Sequence, residues 1–203
     1  MIRIFQDHIC RVEDYLVVGG PVMIPLMIVS VVLWTLIINR VFFFRRLYRK
    51  NMSRKTALEY VKAGEFPDAK KYSGAIALLV TGFQRRRTGR TGVDRFILDE
   101  TVIVIVSSLD RHLGLIGVLA ALAPLLGLLG TVTGMIATFD IISIFGTGNA
   151  RAMAGGISEA LITTQTGLVV AIPGLYMSNF LNRRSENLKQ RIASVGIYLR
   201  RYV

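Results

Sequence analysis

The stretch 155–174, GGISEALITTQTGLVVAIPG, sets a carboxylate, three threonines and a glutamine in a run otherwise mostly apolar and rich in glycine. A charged side chain at the centre of a membrane helix costs roughly 2.5–3.5 kcal/mol or more, so Glu159 needs a reason to be there. One reason is structural: a carboxylate in the first turn of a helix is favoured by the macrodipole. The other is chemical: an acid that faces water or protein inside the membrane can take up and release a proton. Threonine hydroxyls both donate and accept, so Thr163, Thr164 and Thr166 could hold a file of waters or bind a partner's carboxyl. At about 100° per residue, Glu159, Thr163, Thr166, Val170 and Pro173 share one helical face, and Thr164 points away from it.

The run 113–145 carries a second pattern. Ala120, Ala123, Gly127, Thr131, Gly134 and Thr138 fall in one narrow stripe, with Leu122, Leu125, Leu129, Val132 and Ile136 opposite. Small residues let membrane helices approach closely, which accounts for Ala123, Gly127, Gly130 and Gly134 as packing positions but does not require a threonine among them. No nucleophile–base pair, paired catalytic carboxylates or metal-ligand spacing is present, so neither an enzyme nor a cofactor is expected. His112 has no second histidine beside it, and Cys10 is the single cysteine.

The elements that must position these residues follow from composition. The chain has 203 residues, 52% of them hydrophobic, and a net charge of +12, with a mean hydropathy of +0.50. Basic balance alone would suit nucleic acid or anionic lipid. The positions of the charges favour the membrane: Lys and Arg crowd residues 45–112 and the tail after 182, while the first twenty residues hold only Arg3 and Arg11 and the 146–156 linker only Arg151. The expected fold is an all-α membrane protein with three transmembrane helices extended into the cytoplasm and an N-terminal amphipathic interfacial helix. Residues 1–20 form that periplasmic helix and are no signal peptide. Helix one takes 21–44, a cytoplasmic basic helical loop 45–112, helix two 113–145, a periplasmic linker 146–156, helix three 157–181 and a cytoplasmic C-terminal helix 182–203. Arg40 is expected to snorkel to the cytoplasmic interface, and Arg85-Arg86-Arg87 to face solvent or lipid headgroups. Within the loop, Ser53 is the expected N-cap of a helix to about Val61, broken at Gly64 and Pro67, and GAIALLVTGFQRRR reads as a second amphipathic helix. The β-branched run Val102–Val106 has strand propensity, yet no second strand is evident to pair with it, so one continuous helix from about residue 93 into the bilayer is expected.

LAPLLGLLGTVTGMIATF followed by GGISEALITTQTGLVVAIP resembles the MotA/TolQ/ExbB proton channel family, nearest the three-span ExbB and TolQ branches. The resemblance implies a homo-oligomer, a pentamer, around a dimer of a single-span ExbD- or TolR-like protein whose membrane aspartate couples proton motive force to motion. It implies an inner-membrane location, a TonB-like protein as a further partner, contact with membrane lipid and no nucleic acid. It also maps the family's pore threonines to Thr131 and Thr164 and its membrane glutamate to Glu159. The helical wheel favours Thr163 and Thr166 over Thr164, so which threonine faces the pore stays open. The motifs suit TonB-dependent uptake, TolQ-like envelope work and gliding or secretion motors alike. A scaffold in which the polar residues only join helices is the competing class.

Overall fold

A computed structural model describes residues 19–49, 52–68, 71–72 and 74–203. The expected amphipathic helix over residues 2–18, with Cys10, lies outside the described residues. The elements are α1 (Met23–Tyr48), α2 (Arg54–Ala63), α3 (Ala75–Arg86), α4 (Thr91–Asp110), α5 (Leu113–Phe145), a short 3₁₀ turn (Gly146–Gly148) and α6 (Ala150–Arg200). No strand occurs among the described residues. Three helical segments, Met23–Tyr48, Thr91–Gly148 and Ala150–Arg200, are long and apolar enough to cross a membrane.

The local signals act as their chemistry requires. Ser53 Oγ accepts from Thr56 N–H at 3.2 Å, and Gly64, at φ 71°, closes α2 in the left-handed region with its N–H on Tyr60 O. Val102–Val106 is helical.

Two expectations need correction. The helix from residue 93 does not run unbroken into the bilayer run: α4 stops at Asp110, and His112 takes φ 65° before α5 begins. Tertiary bonds hold this elbow. Asp110 Oδ1 pairs with Lys189 Nζ at 2.7 Å, and Ser108 O, one of the last carbonyls of α4, accepts from Arg40 Nη2 at 3.3 Å. The linker 146–156 is also shorter than expected. Asn149 Oδ1 accepts from Ala152 N–H at 3.2 Å, and α6 starts at Ala150 and runs 51 residues without interruption. The third span and the C-terminal helix are therefore one helix, about 75 Å long and so well beyond a hydrocarbon core of about 30 Å.

The chain divides into two compact units. One joins the described part of Met1–Leu36 to Leu115–Ser178. Its centre is an antiparallel pair, α5 against α6, in which rising positions on one helix meet falling positions on the other. A Cβ on Gly117 would lie 3.3 Å from Ser178 Oγ, one on Gly167 2.8 Å from Ala123 O, and one on Gly134 2.7 Å from Gly156 O. On α1, Leu33 Cδ2 closes on Gly174 in the same way. The outer faces of these helices are apolar and open, as at Ile24, Leu125, Phe139 and Val169, which suits lipid or further subunits.

The other unit joins Ile37–Gly114 to Asn179–Val203. Leu79, Val80, Phe83 and Leu98 are buried, and so are Leu188, Ile192, Val195 and Leu199 of α6. Arg85, Arg86 and Arg87 are exposed, as expected of a face toward solvent or headgroups, and two of them also tie helices together. Arg86 pairs with Glu100 at 2.8 Å, and Arg87 Nη1 donates to Val61 O at 2.7 Å. Arg40 does not snorkel. It is 6% exposed, lies over the Phe43 ring at 4.9 Å, and its Nε has no partner among the described residues.

Candidate functional site in the paired helices

The site is built on backbone contact between α5 and α6. Each glycine of the α5 stripe admits one part of α6. Gly127 faces Thr163 O and Thr164 Cα, each 3.2 Å from where its Cβ would stand, Gly130 admits the Thr163 side chain, and Gly134 admits Ala160. Ala123 is buried, and its carbonyl meets Gly167. Membrane helices gain van der Waals contact and interhelical hydrogen bonds at such spacing. The contacts join two helices of one chain.

This closeness decides where the threonines go. Thr163 is 0% exposed, and its hydroxyl donates within its own helix, to Glu159 O at 2.9 Å and Ala160 O at 3.0 Å. It is thus buried in the helix pair. Thr164, which an ideal wheel turns away from Thr163, also reaches α5: its hydroxyl donates to Gly127 O at 3.0 Å and to Ala160 O at 3.2 Å. Thr166 is half-buried and donates to Ile162 O at 2.8 Å. Thr131, half-buried on α5, donates to Leu128 O at 2.6 Å. Each hydroxyl proton is committed to a carbonyl, which leaves the oxygen as an acceptor.

Glu159 is the tenth residue of α6, about two and a half turns from its start at Ala150. The macrodipole acts within the first turn, so it does not account for this carboxylate. The side chain is half-buried. Its Oε1 lies against Gly20, in the space that a Cβ there would fill, and Gly20 holds φ 69°. Gly20 O accepts from Met23 N–H at 3.1 Å, joining this turn to the start of α1.

Outside the apolar spans, Asp94 is a buried carboxylate with a different task. It accepts from Thr88 N–H at 2.7 Å, Thr88 Oγ1 at 2.9 Å and Gly89 N–H at 3.0 Å. Burial pushes its carboxyl up, but these bonds and the Arg87 guanidinium outweigh that and hold it below its ordinary value. On α6, the bond to Asp110 raises the Lys189 ammonium above its usual range against the opposing effect of burial. Among the described residues no group of three or more His, Cys, Asp or Glu gathers to hold a metal ion.

Two residues of interest escaped the reading of the sequence. Gly20 carries no local signal beyond its place before Pro21, because its role depends on a helix 139 positions away. Asp140, exposed on α5 between Phe139 and Ile141, is a second acid in an apolar run, and its isolation there was the available signal.

Three long apolar helices, two of them joined along small residues with threonine hydroxyls at the joint, and an acid seated on Gly20, define a polytopic membrane protein. Residues 72–194 match the MotA/TolQ/ExbB proton channel family, and the chain belongs to that family. A Synechocystis sp. protein named ExbB-like 1 is 32% identical over 202 residues, covering 95% of this chain and 79% of that one. The biopolymer transport protein ExbB of Salmonella typhimurium is 30% identical over 194 residues, 86% of this chain and 77% of that one. The ExbB of Neisseria meningitidis serogroup A is 29% identical over 200 residues, 88% and 90% of the two chains. Membership and the three helices together make this a multi-pass membrane protein with an ExbB-like role.

Proposed function

We propose that the chain is an inner-membrane proton-channel subunit that couples proton motive force, with an ExbD-like partner, to TonB-dependent transport across the outer membrane. Five copies surround a dimer of single-span partners, with the N-terminus periplasmic and the C-terminus cytoplasmic. Thr131 and Thr164 line the passage of the partner helix, and Glu159 supports proton coupling. The carrying observation is the position of Glu159, about two and a half turns inside an apolar helix and seated on a glycine. The committed threonine protons add a direction: an oxygen left only as acceptor favours a protonated partner carboxyl, which donates, over an ionised one, which does not. The same core motifs suit TolQ-like envelope or division work and gliding, and a TonB-like reading frame beside the gene favours uptake. Proton transfer is the only chemistry in this role and no substrate is converted to a product, so the role is not that of an enzyme.

A second reading has its own observation. The Thr164 hydroxyl is spent on Gly127 O, which is what a scaffold would use it for. The variants Thr131→Val, Thr164→Val and Glu159→Gln separate the readings when oligomer yield is measured beside proton-dependent uptake. Assembly with loss of uptake supports the channel subunit; full uptake in all three supports the scaffold.

A further inference from the structure

A groove on the unit that holds the basic segment is used neither by the α5–α6 joint nor by the Glu159 site. Arg45 enters it from α1, Arg49 from the turn that follows α1 and Arg184 from α6. Its remaining wall is mostly apolar, from Val41, Phe44, Phe180 and Leu181, around a cavity of about 320 Å³. No carboxylate lines it. The Arg184 guanidinium lies 5.0 Å over the Tyr48 ring and 5.1 Å from that of Phe180, while the Tyr48 hydroxyl donates to Arg184 O at 3.0 Å. Stacking uses the faces of the guanidinium and leaves its edge for a planar, bidentate acceptor.

Along the chain, both walls change character at this groove. The apolar run of α1 ends at Phe44 and Arg45-Arg46 follow; that of α6 ends at Leu181 and Arg183-Arg184 follow. Such a change marks the level of lipid headgroups. We infer that the groove holds one anionic phospholipid per subunit, its phosphate on Arg45, Arg49 and Arg184 and its acyl chain along Phe44, Phe180 and Leu181. The charge of the site fits a lipid with a net negative headgroup and disfavours a zwitterionic one, whose cationic group would meet three arginines. A free phosphate would satisfy the arginines and leave the apolar wall wet.

The test uses the full-length oligomer, delipidated in neutral detergent and mixed with micelles containing either phosphatidylglycerol or phosphatidylcholine. Native mass spectrometry and the unfolding midpoint are the readouts. Retention of one phosphatidylglycerol per subunit with a raised Tm is expected, and no such effect from phosphatidylcholine. At roughly fivefold per arginine near a charged headgroup, Arg45→Gln, Arg49→Gln and Arg184→Gln together should weaken retention by roughly a hundredfold. Lys55→Gln, Arg90→Gln and Arg95→Gln together remove the same charge from exposed positions and should leave retention intact. Equal retention of phosphatidylcholine, an unchanged arginine triple variant or an equal loss in the lysine–arginine control overturns the inference. So does inorganic phosphate that reproduces the Tm rise, which would make this a small-anion site. Should the triple variant not assemble, Arg184→Lys keeps the charge but loses the planar fork, and retention unchanged from wild type would then count against the groove.

Discussion

Glu159 Oε1 occupies the space that a Cβ on Gly20 would fill. The backbone at Gly20 adds a second constraint, since φ 69° lies where L side chains are disfavoured. Gly20→Ala should therefore cost about 1 kcal/mol in backbone conformation and also displace the carboxylate. Energy-dependent uptake should fall while the oligomer still forms. Uptake equal to wild type in Gly20→Ala would show that the seat of Glu159 does not matter to coupling.

The glycines of α5 predict a different failure. Gly127 has Thr163 O and Thr164 Cα within 3.2 Å of its missing Cβ, and both belong to backbone that cannot swing aside. Gly127→Leu should force the helices apart, at a cost of about 1–3 kcal/mol or more. Expression and oligomer yield should drop together, with a lowered Tm. An assembled, thermally unchanged variant would contradict the packing.

Sequence patterns revealed the elements better than their junctions. Ser53 and Gly64 bound α2 because caps are local chemistry. The elbow at His112 was invisible because it depends on Lys189 and Arg40, far away in the chain. The start of α6 was missed because GTGNARAMAGG reads as a linker by its glycines, although Asn149 is a helix cap. At the site, the helical wheel grouped Thr163 with Glu159 correctly as neighbours in one helix. A wheel does not say where the next helix lies, and the glycine stripe brings α5 close enough for Thr163 and Thr164 both to touch it.

The buried Asp94 predicts a pH dependence. Its carboxyl is held below the ordinary value, so the folded state favours the ionised form. The contribution is fully present above the unfolded value of about 3.9 and is lost as pH falls through the lower folded value. Limited proteolysis at the Arg87–Arg90 loop should accelerate in acid below about pH 4. Asp94→Asn should be cut faster at neutral pH and lose the acid step. An unchanged acid step in Asp94→Asn would assign it to another group.

Orientation follows from charge and is checked by labelling. Single cysteines at Lys55 or Arg90, in a Cys10→Ser background, should resist impermeant reagents in intact cells, while one at Thr147 should react. The reverse pattern would invert the topology.

The threonines carry the last and sharpest prediction. Thr131 and Thr164 share a role in the proposal but differ in their bonds. The Thr131 hydroxyl bonds only its own helix, to Leu128 O. That of Thr164 also crosses to Gly127 O. Thr164→Val should therefore cost about 0.6–1 kcal/mol of helix pairing that Thr131→Val does not. Both remove the acceptor oxygen, so both should abolish proton-dependent uptake. Glu159→Gln keeps the shape and should lose uptake with no change in Tm. A Tm lowered in Thr164→Val alone, with uptake lost in all three, is the expected pattern. If uptake tracks Tm across the three, these side chains join helices and carry no proton step.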